Sequence, residues 1–111
     1  MNNPKFQMFK SRENNQYYYR LKANNGEIIL SSEGYLSKHA CEKGLLVVRT
    51  NAPNPLRYQR KNTVLNYTFN LKAANGEIVG RSENYISEYN RDNGIRAVMR
   101  NAPHAPTEDL T

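Results

Sequence analysis

Aspartate is nearly absent: Asp92 and Asp109 are the only two among 111 residues. A metal or phosphoryl-transfer site built on aspartates has too few ligands to draw on. Cysteine occurs once, as Cys41, which excludes an internal disulfide and leaves no pair to start a zinc site. Tryptophan is missing, and the longest apolar run, Gly44-Leu45-Leu46-Val47-Val48, is far short of the roughly 20 residues that span a bilayer. The first residues, Met1-Asn2-Asn3-Pro4-Lys5, lack the apolar stretch of a secretion signal. These absences point to the cytoplasm and away from a membrane partner.

What is present is positive charge and tyrosine. Sixteen Lys and Arg stand against ten Asp and Glu, a formal net charge of +6, and there are eight Tyr. Residues 1–54 hold eight basic and four acidic residues, and residues 55–111 hold eight and six. The basicity is therefore spread, with no charged tail of the kind that binds nucleic acid as an unfolded arm.

The chain repeats itself at an offset of 50. Leu21-Lys22-Ala23-Asn24-Asn25-Gly26-Glu27-Ile28 returns as Leu71-Lys72-Ala73-Ala74-Asn75-Gly76-Glu77-Ile78. Ser32-Glu33-Gly34-Tyr35 returns as Ser82-Glu83-Asn84-Tyr85, and Asn51-Ala52-Pro53 as Asn101-Ala102-Pro103. Without gaps, residues 17–53 and 67–103 share 17 identities in 37 positions, where chance gives about two or three. The chain is a duplication.

Each unit reads as strand, strand, strand, helix. Lys5–Lys10 and Gln16–Ala23 have strand composition, and Asn25-Gly26 between apolar flanks is a strong hairpin signal. A type I′ turn there sets Ala23 opposite Ile28, Lys22 opposite Ile29, Leu21 opposite Leu30 and Arg20 opposite Ser31. Alternation then sends Tyr17, Tyr19, Leu21, Ala23, Ile28 and Leu30 to the core. Tyr67, Phe69, Leu71, Ala73 and Ile78 follow in the second unit. Ser37 and Ser87 are placed to cap helices. Cys41, Leu45 and Val48 have the spacing of one helical face, matched by Tyr89, Ile95, Val98 and Ala102. Gly44 and Gly94 predict a bend in each helix, Asn51 and Asn101 a left-handed end, and Pro53 and Pro103 a stop. Some 50 residues bury too little apolar area to fold comfortably alone.

The expected fold is therefore α+β. Two tandem β-β-β-α repeats form one antiparallel-rich sheet, with both helices on one face and pseudo-two-fold symmetry. The first repeat covers 1–54 and the second 55–104, joined at Asn54-Pro55, with 105–111 a loose tail; both repeats make one domain. A monomer containing an internal pseudo-dimer is the expected state.

The doubled Leu-Lys-Ala-x-Asn-Gly-Glu-Ile, the Ser-Glu-x-Tyr that follows, the serine-started helix and Gly-Leu/Ile-x-x-Val resemble the YegP-like family. These are small bacterial proteins of unknown function with single or tandem repeats. The resemblance covers about residues 5–104 and extends to the Glu108-Asp109-Leu110-Thr111 ending. It implies a sheet completed by two repeats, and it carries no catalytic or ligand residue with it.

No catalytic constellation emerges from the residues themselves. His39 and His104 have no metal-ligand spacing to a second donor, and Cys41, on a buried stripe and followed by Glu42, lacks the electropositive setting of a reactive thiol. No cofactor or metal is expected, and a non-enzymatic binding module is. Two candidate surfaces follow. Alternation places Phe9, Tyr18, Arg20, Lys22 and Ile29 on the outer sheet face, with Thr68, Asn70, Lys72, Val79 and Arg81 from the second unit and Arg57 from strand four. Cations interleaved with apolar and aromatic groups suit another protein, or alternatively a weakly and tolerantly bound nucleic acid. The second candidate is a loop pocket framed by Glu33, Tyr35, Glu83, Tyr85 and Arg91. Arg91 stands where the first unit has Cys41, so a buried guanidinium is expected to reach Glu83 or Glu33.

Overall fold

The computed structural model describes residues 3–111; Met1 and Asn2, where the first repeat and the leader-free reading begin, lie outside it. Among the described residues, seven strands and two helices form an α+β fold. The first repeat contributes β1 (Lys5–Lys10), β2 (Tyr17–Lys22), β3 (Ile28–Ser31) and α1 (Lys38–Asn51). After a single 3-10 turn at Pro55–Arg57, the second gives β4 (Tyr58–Thr63), β5 (Asn66–Lys72), β6 (Ile78–Arg81) and α2 (Glu88–Asn101), and β7 (Thr107–Asp109) closes the order. The strands form one sheet in the order β4-β5-β6-β3-β2-β1-β7. Apart from β7 this order reads alike from either side of the β3–β6 seam, which is compatible with the expected two-fold relation.

Both helices lie on the same face and reach across the seam. α1 packs on β2 and also on β5 and β6, while α2 packs on β5 and on β3. The core between them is continuous, with Phe6, Tyr19, Leu21, Leu30 and Cys41 from one repeat against Phe69, Leu71, Val98 and Ala102 from the other. Each large side chain removed from water there contributes about 1.5–3 kcal/mol. At the seam β3 and β6 pair only through Ser31 and Arg81. Two further contacts close it: the Tyr19 hydroxyl donates to the Val79 carbonyl, and Leu30 packs so tightly on Gly80 that an added Cβ would lie 2.7 Å from the leucine carbons. Leu30 and Gly80 occupy matching positions, so one side chain fills the space where two would collide.

The hairpins differ from the expected type I′ form. In the two Asn-Gly turns neither asparagine is at positive φ; Gly26, at +85°, and Gly76, at +90°, are. Gly26 N–H donates to the Ala23 carbonyl and Ala23 N–H to that of Glu27, which makes a three-residue loop. Lys22 consequently faces Ile28 rather than Ile29, and a bulge restores Leu21 opposite Leu30 and Arg20 opposite Ser31. The same shift recurs between Leu71 and Lys72. Its effect is to turn Ile29 and Val79 into the core. Burying an isoleucine contributes about 2 kcal/mol, which exceeds the roughly 1 kcal/mol of a ladder hydrogen bond. Ile28 stands opposite Lys22 in place of the core position foreseen for it.

The helices begin as expected, Ser37 Oγ accepting from Ala40 N–H and Ser87 Oγ from Asn90 N–H. They are not bent. Each runs 14 residues through its glycine and ends without a left-handed residue, Ala52 and Ala102 closing them in right-handed geometry. Gly44 and Gly94 serve close approach instead: the Tyr35 ring lies where a Cβ on Gly44 would fall, 2.7 Å from Cζ, and Tyr85 does the same at Gly94, at 2.8 Å. The buried stripe of α2 is Arg91, Ile95 and Val98, whereas Tyr89, assigned to it above, is exposed.

The tail is not loose. β7 runs parallel to β1, with Phe6 opposite Thr107 and Met8 opposite Asp109. Phe6 N–H donates to the Pro106 carbonyl and Leu110 N–H to that of Met8. Ion pairs from Lys5 to Glu108 (3.2 Å) and from Lys38 to Asp109 (2.7 Å) hold its side chains. An edge strand with open backbone groups binds whatever extended segment is near, and the end of α2 delivers this one.

Candidate functional site

The outer sheet face carries a row of side chains that crosses all seven strands. Register places Gln59, Asn70, Arg81, Ser31, Arg20, Gln7 and Glu108 side by side, one from each strand. Arg20 Nε donates to Gln7 Oε1 at 2.9 Å, and Gln7 Nε2 to Glu108 Oε1 at 2.7 Å. Across the seam, Asn70 Nδ2 donates to Gln59 Oε1 at 3.2 Å, and Arg81 is ion-paired with Glu33. Gln7 and Asn70 are buried within this row. The two guanidiniums flank the small Ser31 at the middle of the sheet.

Phe9 and Tyr18 stand opposite each other beside the row, their rings stacked at 5.7 Å, and the Arg20 guanidinium lies 4.5 Å from the Phe9 centroid. Arg20 is thus fixed by Gln7 on one side and an aromatic face on the other. Lys22 and Lys72 share this face, and Lys61 joins them opposite Thr68. Two expected members are missing for the reason already given: Ile29 and Val79 are buried. Arg57 is also absent, because it closes the 3-10 turn and donates from Nε to Asn51 Oδ1 at 3.0 Å, at the end of α1. Gln7 and Gln59 were not foreseen. They are equivalent at an offset of 52 instead of 50, because the β1–β2 loop is longer than the β4–β5 turn, and that insertion hides the match.

The five residues of the expected loop pocket do not assemble. Glu33 is occupied with Arg81. Tyr35 stacks on Tyr19 at 5.9 Å. Glu83 and Tyr85 line an open cleft of about 600 Å³ with Arg20, Lys22, Glu27, Ile28 and Asn84. Burial first, then the charges of Glu27 and Glu83, raise the Tyr85 pKa and keep its phenol neutral. Ser31 matches Arg81 in the repeat, so Glu83 has no arginine in the place where Glu33 has one.

Arg91 is buried, 3% exposed, as expected for its place in the repeat. Its partner is Asp92 at 3.0 Å, with Asn62 and the Lys61 carbonyl receiving its other end, and neither Glu83 nor Glu33 is involved. Adjacent residues on a helix seldom pair, but Arg60 reaches over from β4 to share the same carboxylate oxygen at 3.0 Å. Partial burial works against the Asp92 carboxylate, yet the hydrogen bonds and charges of Arg60 and Arg91 outweigh it and hold its pKa below the ordinary value. Cys41, at the matching position, is fully buried, and desolvation followed by the charge of Glu42 pushes its thiol up to about 11. Among the described residues no group of three His, Cys, Asp or Glu side chains is placed to hold a metal ion, and no helix is long and apolar enough to cross a membrane.

Fold and surface together define a tandem-repeat α+β sheet protein with a polar, basic outer face. Residues 13–59 and 66–109 each match the family described as a domain of unknown function, DUF1508. The chain belongs to that family. The UPF0339 protein YegP of Yersinia pestis is 47% identical over 57 residues, 51% of each chain, and that of Escherichia coli K12 is 50% identical over 56 residues, 50% of each. The matched segment thus spans about half the length of these curated relatives. A UPF0339 protein of Methanosarcina acetivorans is 46% identical over 50 residues, 45% of this chain but 84% of its own. Among solved structures, the solution NMR structure of UPF0339 protein SO3888 from Shewanella oneidensis is 42% identical with a TM-score of 0.90, covering 97% of this chain and 92% of that one. The solution structure of E. coli yegP, titled a protein of unknown function, is 41% identical, also at 0.90, and covers 100% and 96%.

Proposed function

We propose that the protein is a non-catalytic binding module whose outer sheet face receives an acidic patch on another protein. The pre-ordered row from Gln59 to Glu108 is the observation that carries this reading. Its two arginines and the neighbouring Phe9–Tyr18 stack are held before any partner arrives, so docking costs little side-chain entropy. Arg and Tyr are also the residue types over-represented among interface hot spots. The groups with potential for covalent chemistry support a non-catalytic role: Cys41 is buried and kept protonated, and the Tyr19 hydroxyl is spent on a carbonyl.

A photo-crosslinking side chain placed at position 18 in growing cells tests the proposal. A discrete protein adduct that disappears when Arg20→Ala and Arg81→Ala are combined supports it; adducts indifferent to those changes refute it. Lys22, Lys61 and Lys72 pair with no carboxylate among the described residues, and this favours single-stranded nucleic acid as a second reading. That reading requires oligonucleotide binding that weakens steeply as salt rises.

A further inference from the structure

The two outer edges of the sheet are treated differently. β1 is covered by β7, whereas β4 ends the sheet with β5 as its only neighbour among the described residues. Phe6 and Tyr58 hold the same register, opposite Leu21 and Leu71, and so do Met8 and Arg60, opposite Tyr19 and Phe69. Phe6 and Met8 direct backbone groups at the tail. Tyr58, Arg60 and Asn62 accordingly direct theirs away from β5. The Tyr58 N–H closes the preceding 3-10 turn, which leaves the Tyr58 carbonyl, both groups of Arg60 and the Asn62 N–H for a parallel strand. The stretch equivalent to that tail, after α1, passes through the 3-10 turn into β4 itself.

The side chains around this edge differ from those that hold β7. On the covered edge, Thr107 accepts from Arg49 Nη2 at 3.0 Å, Glu108 from Gln7, and Asp109 is paired with Lys38. The repeat puts Met99 in place of Arg49 and Glu88 in place of Lys38, while Gln59 matches Gln7. Glu88 accepts a hydrogen bond from Asn62 at 3.0 Å and has no cation among the described residues. A strand on β4 therefore meets an apolar group, an amide and a carboxylate in turn. The turn beside the edge is apolar and costly: Val64 and Leu65 are 88% and 82% exposed, and Leu65 sits at a φ of +69°, a conformation that glycine or asparagine adopts more easily. The corresponding loop of the first repeat is polar and uses Asn15 at +59°.

We propose that β4 is a docking edge for an extended segment of a partner protein, added parallel as an eighth strand with the pattern apolar, acidic, basic. This is strand addition to an open sheet edge, on a surface separate from the outer face. The pattern also keeps the chain's own acidic tail off β4, because Asp109 would meet Glu88. Self-pairing of β4 between two copies brings Arg60 and Lys61 against like charges, which blunts the edge against dimers.

Two peptides test this by amide NMR titration of the full chain: His-Ala-Pro-Leu-Glu-Lys-Leu-Thr, and the tail sequence His-Ala-Pro-Thr-Glu-Asp-Leu-Thr. The first is expected to shift the Arg60 and Asn62 amides saturably, with a Kd at least about tenfold below that of the second. Glu88→Lys should reverse the preference. Arg60→Pro, which removes an outward N–H, should abolish binding that Arg60→Ala retains; if the proline variant fails to fold, the Glu88→Lys reversal decides alone. Arg20→Ala, though it weakens the outer face, should leave both peptide affinities at β4 as they were, which separates this edge from the outer face. Equal affinity for both peptides, shifts away from β4, or β4 shifts that appear on concentrating the protein alone, the mark of a second copy on the edge, would each overturn the proposal.

Discussion

Replacing Gly44 by alanine should destabilise the protein, although helix propensity alone predicts the reverse. In an exposed helix interior, glycine to alanine gains about 1 kcal/mol. Here the new methyl group falls 2.7 Å from Tyr35 Cζ and 3.2 Å from Tyr19 Cε2, well inside van der Waals contact. The Tyr35 ring is stacked on Tyr19 and its backbone is paired with Tyr17, so it has little room to retreat. Overpacking of this kind costs about 1–3 kcal/mol, and after the helix gain is subtracted the net expectation is a loss of up to about 2 kcal/mol. In a Tyr35→Ala background the closest obstacle is gone and only the milder Tyr19 contact stays, so the same substitution should stabilise, by up to about 1 kcal/mol. Urea unfolding followed by circular dichroism on the four proteins of this cycle gives the coupling, expected at about 1–3 kcal/mol with unchanged m-values. If Gly44→Ala stabilises both backgrounds equally, the close approach of the tyrosine is not what requires glycine there. Gly94 and Tyr85 should behave in parallel.

Ending the chain at Pro106 should cost about 2 kcal/mol, as the β1–β7 backbone hydrogen bonds are lost, and hydrogen exchange at β1 should accelerate while β4 is unaffected. Stability should fall in acid. Asp92, against partial burial, is depressed by Arg60 and Arg91, Glu108 by Gln7 and then Lys5, and Asp109 by Lys38. With folded pKa values below unfolded ones, these carboxylates contribute fully above about pH 4–5 and lose their contribution as the pH drops through the depressed values. Urea midpoints between pH 3 and 7 should show that decline, less steeply in Asp92→Asn. At pH 8 a thiol reagent should modify native Cys41 at least about 100-fold more slowly than the unfolded chain, because a thiol raised to about 11 is almost wholly protonated.

The duplication made the architecture legible: once two copies of a β-β-β-α unit were aligned, the single sheet, the serine caps and the core tyrosine at position 19 followed. Strict alternation failed at Ile29 and Val79 because the hairpin loop is one residue longer than a type I′ turn, and the bulge that compensates is favoured by burial, which no two-residue period encodes. Gly44 and Gly94 looked like helix interruptions because propensity is local, while the ring that needs the space is brought by the loop before the helix. The tail has the composition of a loose end, and only the free edge of β1 gives it structure. Of the candidate face, Arg20, Lys22, Lys72, Phe9 and Tyr18 were readable from alternation. Gln7 and Gln59 were not, since their equivalence depends on a loop insertion, and the partner of Arg91 was missed because Asp92 becomes a receptor for two arginines only when β4 lies beside α2.

The reach of each helix onto strands of the other repeat has a consequence for biosynthesis. When α1 has left the ribosome, β5 and β6, which form much of the surface it covers, have not yet been made. β3 stays without its neighbour across the seam until Arg81 emerges, and β1 without β7 until Asp109 does. The first repeat therefore waits as an unfinished sheet carrying an unseated helix, and the fold closes in one late event, after translation of both halves.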